Sequence, residues 1–435
     1  PRPRPFPLRR FLLPWARSTS ESEQSEVERN LPELAGGDWL NGRKLYFGKA
    51  TCHVCHTMRG GGGAIGPDLS NLVHRDIASV IRDIREPAAA LNPDHLTYQV
   101  TLNDGGEFLA VLLGQERDAV RLGDASGAVK NIARTKIRGL TPLTTSLMPP
   151  GLLDLLTSAE QRDLLTFLLL PGLDAAPLEA PGAPAPRSRA EVDKFMVNLA
   201  PPSPEAKRLR ILLAYGPKDH GPGEHDYPKW AQRWSKLLAL AGGVTVAAHN
   251  GWPTAEQFSN SEVIVFYSNN PAWNANRKPE LDDFIERGGG AVFIHWAVEG
   301  GNDALALADC IGLASNSRTT KYRHGPLRIT FPRSDHPITR DFAPTTFIDE
   351  SYWKLIGDPG HVQILGEQIE EGTSYPQLWA AERGSGRVFA SIPGHYTWTF
   401  DDPLFRLILL RGICWTAHEP PDRLSELATV GARIE

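Results

Sequence analysis

Val263-Ile264-Val265-Phe266-Tyr267 is an unbroken apolar run of the kind a strand buried on both faces requires. Upstream, Ile211-Leu212-Leu213-Ala214-Tyr215 reads as another buried strand. A helical stretch holding Trp230, Trp234, Leu237 and Leu238 follows it, and then Val244-Thr245-Val246 as a strand. Downstream, a helix with Leu281, Phe284 and Ile285 stops at Gly288-Gly289-Gly290 and leads into Ala291-Val292-Phe293-Ile294. Strand and helix alternate. Residues 207–420 are therefore expected to form an α/β domain whose mostly parallel sheet is covered on both faces. Ligands in such folds bind beyond the carboxyl ends of the strands.

Composition changes abruptly before this domain. Residues 172–206 are dominated by Pro, Ala and Gly, as in Ala180-Pro181-Gly182-Ala183-Pro184-Ala185-Pro186, and read as a semi-extended linker. Residues 36–171 form a separate region. Ile77, Val80, Ile81 and Ile84 recur at helical spacing up to Pro87, whereas between about 95 and 143 the apolar period becomes two. Thr157-Ser158-Ala159-Glu160 is a capping box that opens a last helix rich in Leu164, Leu165, Phe167 and Leu168. Residues 1–35 are an N-terminal extension and 421–435 a C-terminal tail.

The bulk numbers exclude several classes. At 435 residues with 41% hydrophobic and 22% charged side chains, two or three ordinary globular domains are expected. Net charge is −5 and Lys and Arg are not concentrated anywhere, so nucleic-acid binding has no electrostatic support. No apolar run approaches the length of a membrane span. Residues 1–20 place Arg2, Arg4, Arg9 and Arg10 before Phe11-Leu12-Leu13-Pro14-Trp15, the charge order of an export signal. The apolar core is too short and is broken by Pro14, so the expectation is a processed chain whose signal, if it had one, has been removed.

Two of the four cysteines stand together in Cys52-His53-Val54-Cys55-His56. C-x-x-C-H is the signature of c-type haem attachment. Two thiols three positions apart on one helical turn reach the two vinyl groups of a porphyrin, and the next residue aims its imidazole at the iron. The competing reading, half of a zinc site, lacks a second Cys/His pair at short spacing. The remaining cysteines, Cys310 and Cys414, sit in apolar surroundings and read as small buried hydrophobes, with a disulfide between them left open.

This stretch resembles a class I cytochrome c. Gly42-Arg43-Lys44-Leu45-Tyr46-Phe47 is similar to that family's N-terminal helix, and Gly66-Pro67-Asp68-Leu69 to its post-haem loop. The resemblance implies a mainly α domain with one covalent haem c held by Cys52, Cys55 and His56. It also implies that the Pro67 carbonyl accepts a hydrogen bond from His56 and fixes its tautomer. The distal ligand it implies is Met148, in Ser146-Leu147-Met148-Pro149-Pro150, with His74 and His95 as fallbacks; Met58 is too near His56 and Met196 lies in the linker. His/Met ligation closes both faces of the iron and suits electron transfer. The β insert at about 95–143 departs from an ordinary small cytochrome and resembles the haem-binding domain of large bacterial multidomain proteins.

Residues 207–420 resemble the trehalose-utilisation (ThuA-like) family, which has the class I glutamine amidotransferase-like, flavodoxin-like fold. The pieces that carry the resemblance are His220-Gly221-Pro222-Gly223-Glu224-His225-Asp226-Tyr227, Gly288-Gly289-Gly290-Ala291-Val292-Phe293-Ile294-His295, Asp335-His336-Pro337-Ile338, Asp349-Glu350-Ser351-Tyr352, and Gly386-Arg387-Val388-Phe389 leading to Gly394-His395. Amidotransferases carry a Cys nucleophile after a central strand. Here that position holds His295, so thiolate chemistry on glutamine is not expected. His220, Glu224, His225, His295, Glu350 and His395 fall at expected strand ends, where they provide acid/base groups or donors for an additional metal ion. Of these, His225, His295, Glu350 and His395 are the catalytic candidates. His336 reads as a turn residue, and His249, His361 and His418 as surface residues. Nine of the eleven Trp lie in this domain, and Trp252, Trp273, Trp296, Trp353 and Trp398 suggest faces for sugar rings. Trp230, Trp234 and Trp415 read as core.

Together the two resemblances imply an extracytoplasmic, periplasmic electron-transfer protein. It would have a redox partner and a second domain that binds or transforms a carbohydrate-like substrate. A non-redox sugar hydrolase, lyase or isomerase, and a non-catalytic docking module, are the alternatives for that domain.

Overall fold

The computed structural model describes residues 31–58, 61–170, 182–199, 207–270 and 273–435. The arginine-rich N-terminal stretch lies outside the described residues. The chain divides into two compact units, Pro1–Pro171 and Gly172–Glu435.

In the first unit, helix α1 (Trp39–Phe47) is capped by the Asp38 carboxylate, which accepts from the Asn41 amide. It packs on α3 (Ser158–Leu169), whose capping box of Thr157 and Glu160 is fully formed. Gly42 permits the close crossing, because a Cβ there would stand 1.9 Å from the Asp163 carbonyl oxygen. The Asp163 carboxylate ties the two helices by accepting from the Asp38 amide and Asn41 Nδ2, both at 2.8 Å. Between them in sequence lie the two-residue strands β1 (Thr57–Met58) and β2 (Gly61–Gly62), helix α2 (Ile77–Arg85), and five further strands.

Those strands are β3 (Thr97–Leu102), β4 (Glu107–Gln115), β5 (Ala119–Gly123), β6 (Val129–Ala133) and β7 (Ile137–Pro142). They form one antiparallel sheet in the order β6-β5-β4-β3-β7 around Val100, Ala110, Val120 and Leu122. Strand outweighs α-helix among the described residues, so this region is β-rich rather than mainly α as expected. The physical reason is that the period-two stretch supplies a complete sheet with its own core, while the flanking helices are short. The cysteine pair also differs from expectation. Cys52–Val54 is a single 3-10 turn entered through Thr51 at φ 53°, not a regular helical turn.

In the second unit a seven-stranded sheet runs in the order β14-β15-β16-β11-β10-β8-β9. Strands β8 (Leu209–Tyr215), β9 (Val244–Asn250), β10 (Val263–Tyr267), β11 (Gly290–Ile294) and β16 (Gly386–Ser391) are parallel. Every residue of β10 and β11 is buried, as strands covered on both faces require. The sheet is mixed, because β14 (Gln363–Glu370) and β15 (Thr373–Arg383) extend it antiparallel beyond β16. A separate antiparallel ribbon joins β12 (Lys321–Ile329) to β13 (Thr345–Trp353).

Helix α4 (Arg189–Met196) comes first in this unit. Helices α5 (Tyr227–Leu238), α6 (Ala255–Asn260), α7 (Lys278–Glu286), α8 (Ala304–Ile311) and α9 (Pro403–Thr416) accompany the sheet. One core runs from Leu212, Ile264 and Phe266 through Phe293 to Trp379. Helix α9 is buried along its whole length. Its charged Arg406 and Arg411 are paired with Asp401 and Asp422, as buried charge demands. Residues expected as tail and linker are built into this unit: Pro421–Thr429 forms a 3-10 helix that packs on α9, and the Arg187 amide donates to the Arg433 carbonyl.

Cys310 and Cys414 are free and buried, so no disulfide joins them. Trp252, Trp273, Trp353 and Trp398 also belong to the core, which corrects the expectation of a tryptophan-lined sugar cleft. Only Trp296 of the five borders the polar site.

Candidate functional site

The parallel strands end in one row: Tyr267 pairs with Tyr215 and Ile294, and Ile294 with Ser391. Beyond that row the chain delivers His225 after β8, His295 directly after β11 and His395 after β16. Glu350 enters from β13. All four side chains are buried, and one donor atom from each lies within 4.8 Å of the others. This is the strand-end position that parallel α/β sheets use for ligands.

His295 occupies the strand-to-helix turn with φ 55°, His225 has φ 40° and the neighbouring His220 φ 62°. Non-glycine residues held in the left-handed region cost energy and persist only where surroundings over-determine them. Here the surroundings are explicit. The amide of His225 donates to the His395 carbonyl at 3.0 Å, and that of Thr397 to the Gly223 carbonyl at 2.9 Å, stitching two loops together. Asp349, fully buried, accepts from the amides of Glu350, Gly394 and His395 at 2.7, 3.0 and 3.1 Å, and from the Thr399 hydroxyl.

The ring contacts are short. His295 Nε2 lies 2.9 Å from His225 Nε2, 3.3 Å from His395 Nδ1 and 3.3 Å from Glu350 Oε2. Tyr352 Oη is also 3.3 Å from it. His395 Nδ1 is 2.9 Å from Glu350 Oε2. Outward-facing partners fix the rings. His295 Nδ1 donates to the Ile392 carbonyl at 2.7 Å, and His225 Nδ1 to Asp219 Oδ1 at 2.7 Å. Asn269 Nδ2 in turn donates to Asp219 Oδ2 at 2.8 Å. The rim is more open: His220 leans on Asp219, Glu224 Oε1 stands 3.7 Å from His395 Nε2, and His324 Nε2 stands 3.7 Å from Glu350 Oε1.

Burial, then the imidazoles of His295, His395 and His220, hold His225 far below the ordinary imidazole range. Burial raises the Glu350 carboxyl, but the adjacent His295 and His395 side chains outweigh it and leave it at about 2. The arrangement presents three imidazoles and a carboxylate, a donor set for a cation or for proton transfer.

The cluster joins all four catalytic candidates of the sequence. Asp219, Tyr227, Asn269, His324 and Tyr352 are contributors that sequence reasoning missed. Asp219 and Tyr227 flank the His220–His225 motif, a usable signal; nothing local marks His324, which reaches Glu350 only through the β12–β13 register. His336 is buried at a turn, where its Nδ1 accepts from the Ile338 amide.

The first unit holds a different site. A cavity of about 690 Å³ is lined by Cys52, Cys55, His56, Pro67, His95 and Met148, with apolar walls from Val80, Ile84, Leu153, Leu164 and Leu168. His56 Nδ1 donates to the Pro67 carbonyl at 2.8 Å, leaving Nε2 without a proton in the neutral ring. Burial lowers the His56 imidazole below its ordinary range, with the Pro67 bond opposing. Gly66 allows the ring to sit flush, because a Cβ there would stand 2.6 Å from His56 Cε1. Burial pushes the Cys52 thiol up to about 11 and raises Cys55 as well. His74 is exposed and does not line the cavity.

Residues 217–416 match the family model described as ThuA, trehalose utilisation, so the second unit carries a ThuA-like domain. At family level this gives the unit a carbohydrate-related function. Among solved structures, the chain is similar to a ThuA-like protein from Parabacteroides merdae ATCC 43184, with 18% identity over 48% of this chain and 90% of that one, and a TM-score of 0.39. It is also similar to one from Bacteroides uniformis ATCC 8492, with 18% identity over 51% and 98%, and a TM-score of 0.40. No curated protein matches the chain. No helix among the described residues is long and apolar enough to cross a membrane.

Proposed function

We propose that this chain is an extracytoplasmic electron-transfer protein. Its first unit holds one covalent haem c, and its ThuA-like unit binds or transforms a carbohydrate-like substrate at the His225–His295–Glu350–His395 cluster. The observation that carries the haem reading is the shared cavity. It brings the two thiols, the His56 imidazole and the Met148 thioether to one apolar space, although Met148 lies far from the motif in sequence. The volume falls within the range of about 300–1,000 Å³ typical of cofactor sites.

These residues fit the group. Cys52 and Cys55 are free thiols that would add across its two vinyl groups. His56, oriented by Pro67, and Met148 would hold the iron. Bound there, the group would supply one-electron chemistry. The redox partner is then an outside electron acceptor or donor protein. The polypeptide's part is to exclude water with Val80, Ile84, Leu164 and Leu168, and to keep His56 Nε2 free of a proton.

In the ThuA-like unit every residue of the polar cluster comes from that unit alone, which favours acid/base chemistry on a sugar that needs nothing from the first unit. His225, His295, His395 and Glu350 would supply the polar groups that meet the sugar there.

Expression in a host with haem-attachment machinery should give a Soret band and an intact mass increased by one haem. Cys52→Ala/Cys55→Ala should abolish both. A colourless wild-type chain from such a host would end the redox reading.

A further inference from the structure

We infer that His225 Nε2, His295 Nε2, His395 Nδ1 and Glu350 Oε2 are the ligands of a single divalent first-row transition-metal ion in the ThuA-like unit. The proposal deepens the reading of that cluster and is independent of the haem.

The Ile392 carbonyl can only accept, so His295 carries its proton on Nδ1 and turns a bare Nε2 inward. The Asp219 carboxylate likewise takes the Nδ1 proton of His225, and that ring also turns a bare Nε2 inward. Two lone pairs therefore face each other across 2.9 Å, with the Glu350 carboxylate, a third acceptor, 3.3 Å from one of them. A single shared proton can serve only one such pair. A multivalent cation serves all of them at once.

His395 completes the set. Its Nε2 is buried and has no hydrogen-bond partner among the described residues. A proton held on that atom leaves Nδ1 as the inward donor, and Glu224 Oε1, 3.7 Å away, is the nearest carboxylate to receive it.

Four ligands at about 2.0–2.1 Å around a tetrahedral ion stand about 3.3 Å from one another. Four of the six separations are 2.9 and 3.3 Å for imidazole pairs and 2.9 and 3.3 Å for imidazole–carboxylate pairs, and the other two, both from His225, lie within 4.8 Å. Small outward movements admit an ion.

Metal-bound histidines almost always donate their other ring nitrogen to a carboxylate or a backbone carbonyl, and His225 and His295 do this with Asp219 and Ile392. Three imidazoles with one carboxylate suit zinc and its neighbours rather than calcium or magnesium. Tyr352 Oη, 3.3 Å from His295 Nε2, is a protic group placed beside the ion.

The test uses the full chain, stripped with EDTA, with zinc as the probe. Titration calorimetry and elemental analysis should give one zinc per chain. Zinc-edge X-ray absorption should show a nitrogen/oxygen shell with imidazole scattering. His295→Ala should weaken binding at least 100-fold. Asp219→Asn, which removes only the outer partner of His225, should weaken it by about 10–100-fold. His361→Ala, at an exposed position remote from the cluster, should change nothing. Glu350→Gln preserves side-chain shape and covers the case in which His295→Ala does not fold.

Failure of the wild-type chain to bind zinc, equal binding by wild type and Glu350→Gln, or a shell without imidazole would each overturn the proposal. Zinc stoichiometry and the Soret band are read separately, so loss of one leaves the other standing.

Discussion

Replacing Asp349 by Ala should destabilise the second unit by about 3 kcal/mol and displace His395. The side chain is fully buried and its oxygens receive the amides of Glu350, Gly394 and His395 together with the Thr399 hydroxyl. Each buried donor left without a partner costs about 1–3 kcal/mol. Three amides therefore set a lower bound of about 3 kcal/mol, and local relaxation with water entry keeps the loss near that bound. Asp349→Asn retains an acceptor for the amides and turns a donor toward Thr399, whose hydroxyl can reverse its role, so it should lose about 1 kcal/mol. Guanidinium unfolding followed by tryptophan emission suits this comparison, since nine of the eleven Trp report on this unit. A loss below about 0.5 kcal/mol for Asp349→Ala, the level of an ordinary surface change, would refute the account of Asp349 as the anchor of the His395 loop.

Three further outcomes are expected. Gly66→Ala places a Cβ 2.6 Å from His56 Cε1 and should lower the fraction of chains carrying haem several-fold by absorbance, whereas Gly139→Ala, with open space around it, should leave that fraction unchanged. Burial holds His336 at about 4 in the folded chain against an ordinary 6.5. Between those values the unfolded chain takes up a proton that the folded one refuses. Stability should thus fall by up to about 3 kcal/mol as pH drops from 6.5 to 4, and His336→Asn should flatten that acid limb in pH-dependent unfolding. Met148→Ala should let the reduced protein bind carbon monoxide while the wild type does not; equal binding by both would remove Met148 as the distal ligand and turn attention to His95, whose Nδ1 is buried and has no hydrogen-bond partner among the described residues.

Much of this was legible in the chain. The runs 211–215, 263–267 and 291–294 specified buried parallel strands, because only a strand covered on both faces tolerates continuous apolar residues. The period-two stretch marked where the first unit's sheet would form, yet its weight was underestimated. Short amphipathic helices look conspicuous in sequence, whereas weakly alternating strands such as β6 do not. The antiparallel pair β14 and β15 was also missed. The two strands are joined by the two-residue turn Glu371-Gly372, both residues at positive φ, so their register is set locally and the turn was the signal to read.

The sequence by itself determined residue chemistry: which imidazoles, thiols and carboxylates exist, and which sit near strand ends. Only the tertiary structure decided which of them meet. Glu350 is drawn in by the β12–β13 ribbon and His395 by the loop that Asp349 anchors. His324, unremarkable along the chain, arrives opposite Glu350 by strand register. Most of the tryptophans went to the core, because large apolar area is stabilised more by burial than by waiting for a ligand at the surface. Convergence of polar groups from six segments is a property of packing, and packing is fixed by contacts between residues far apart in sequence.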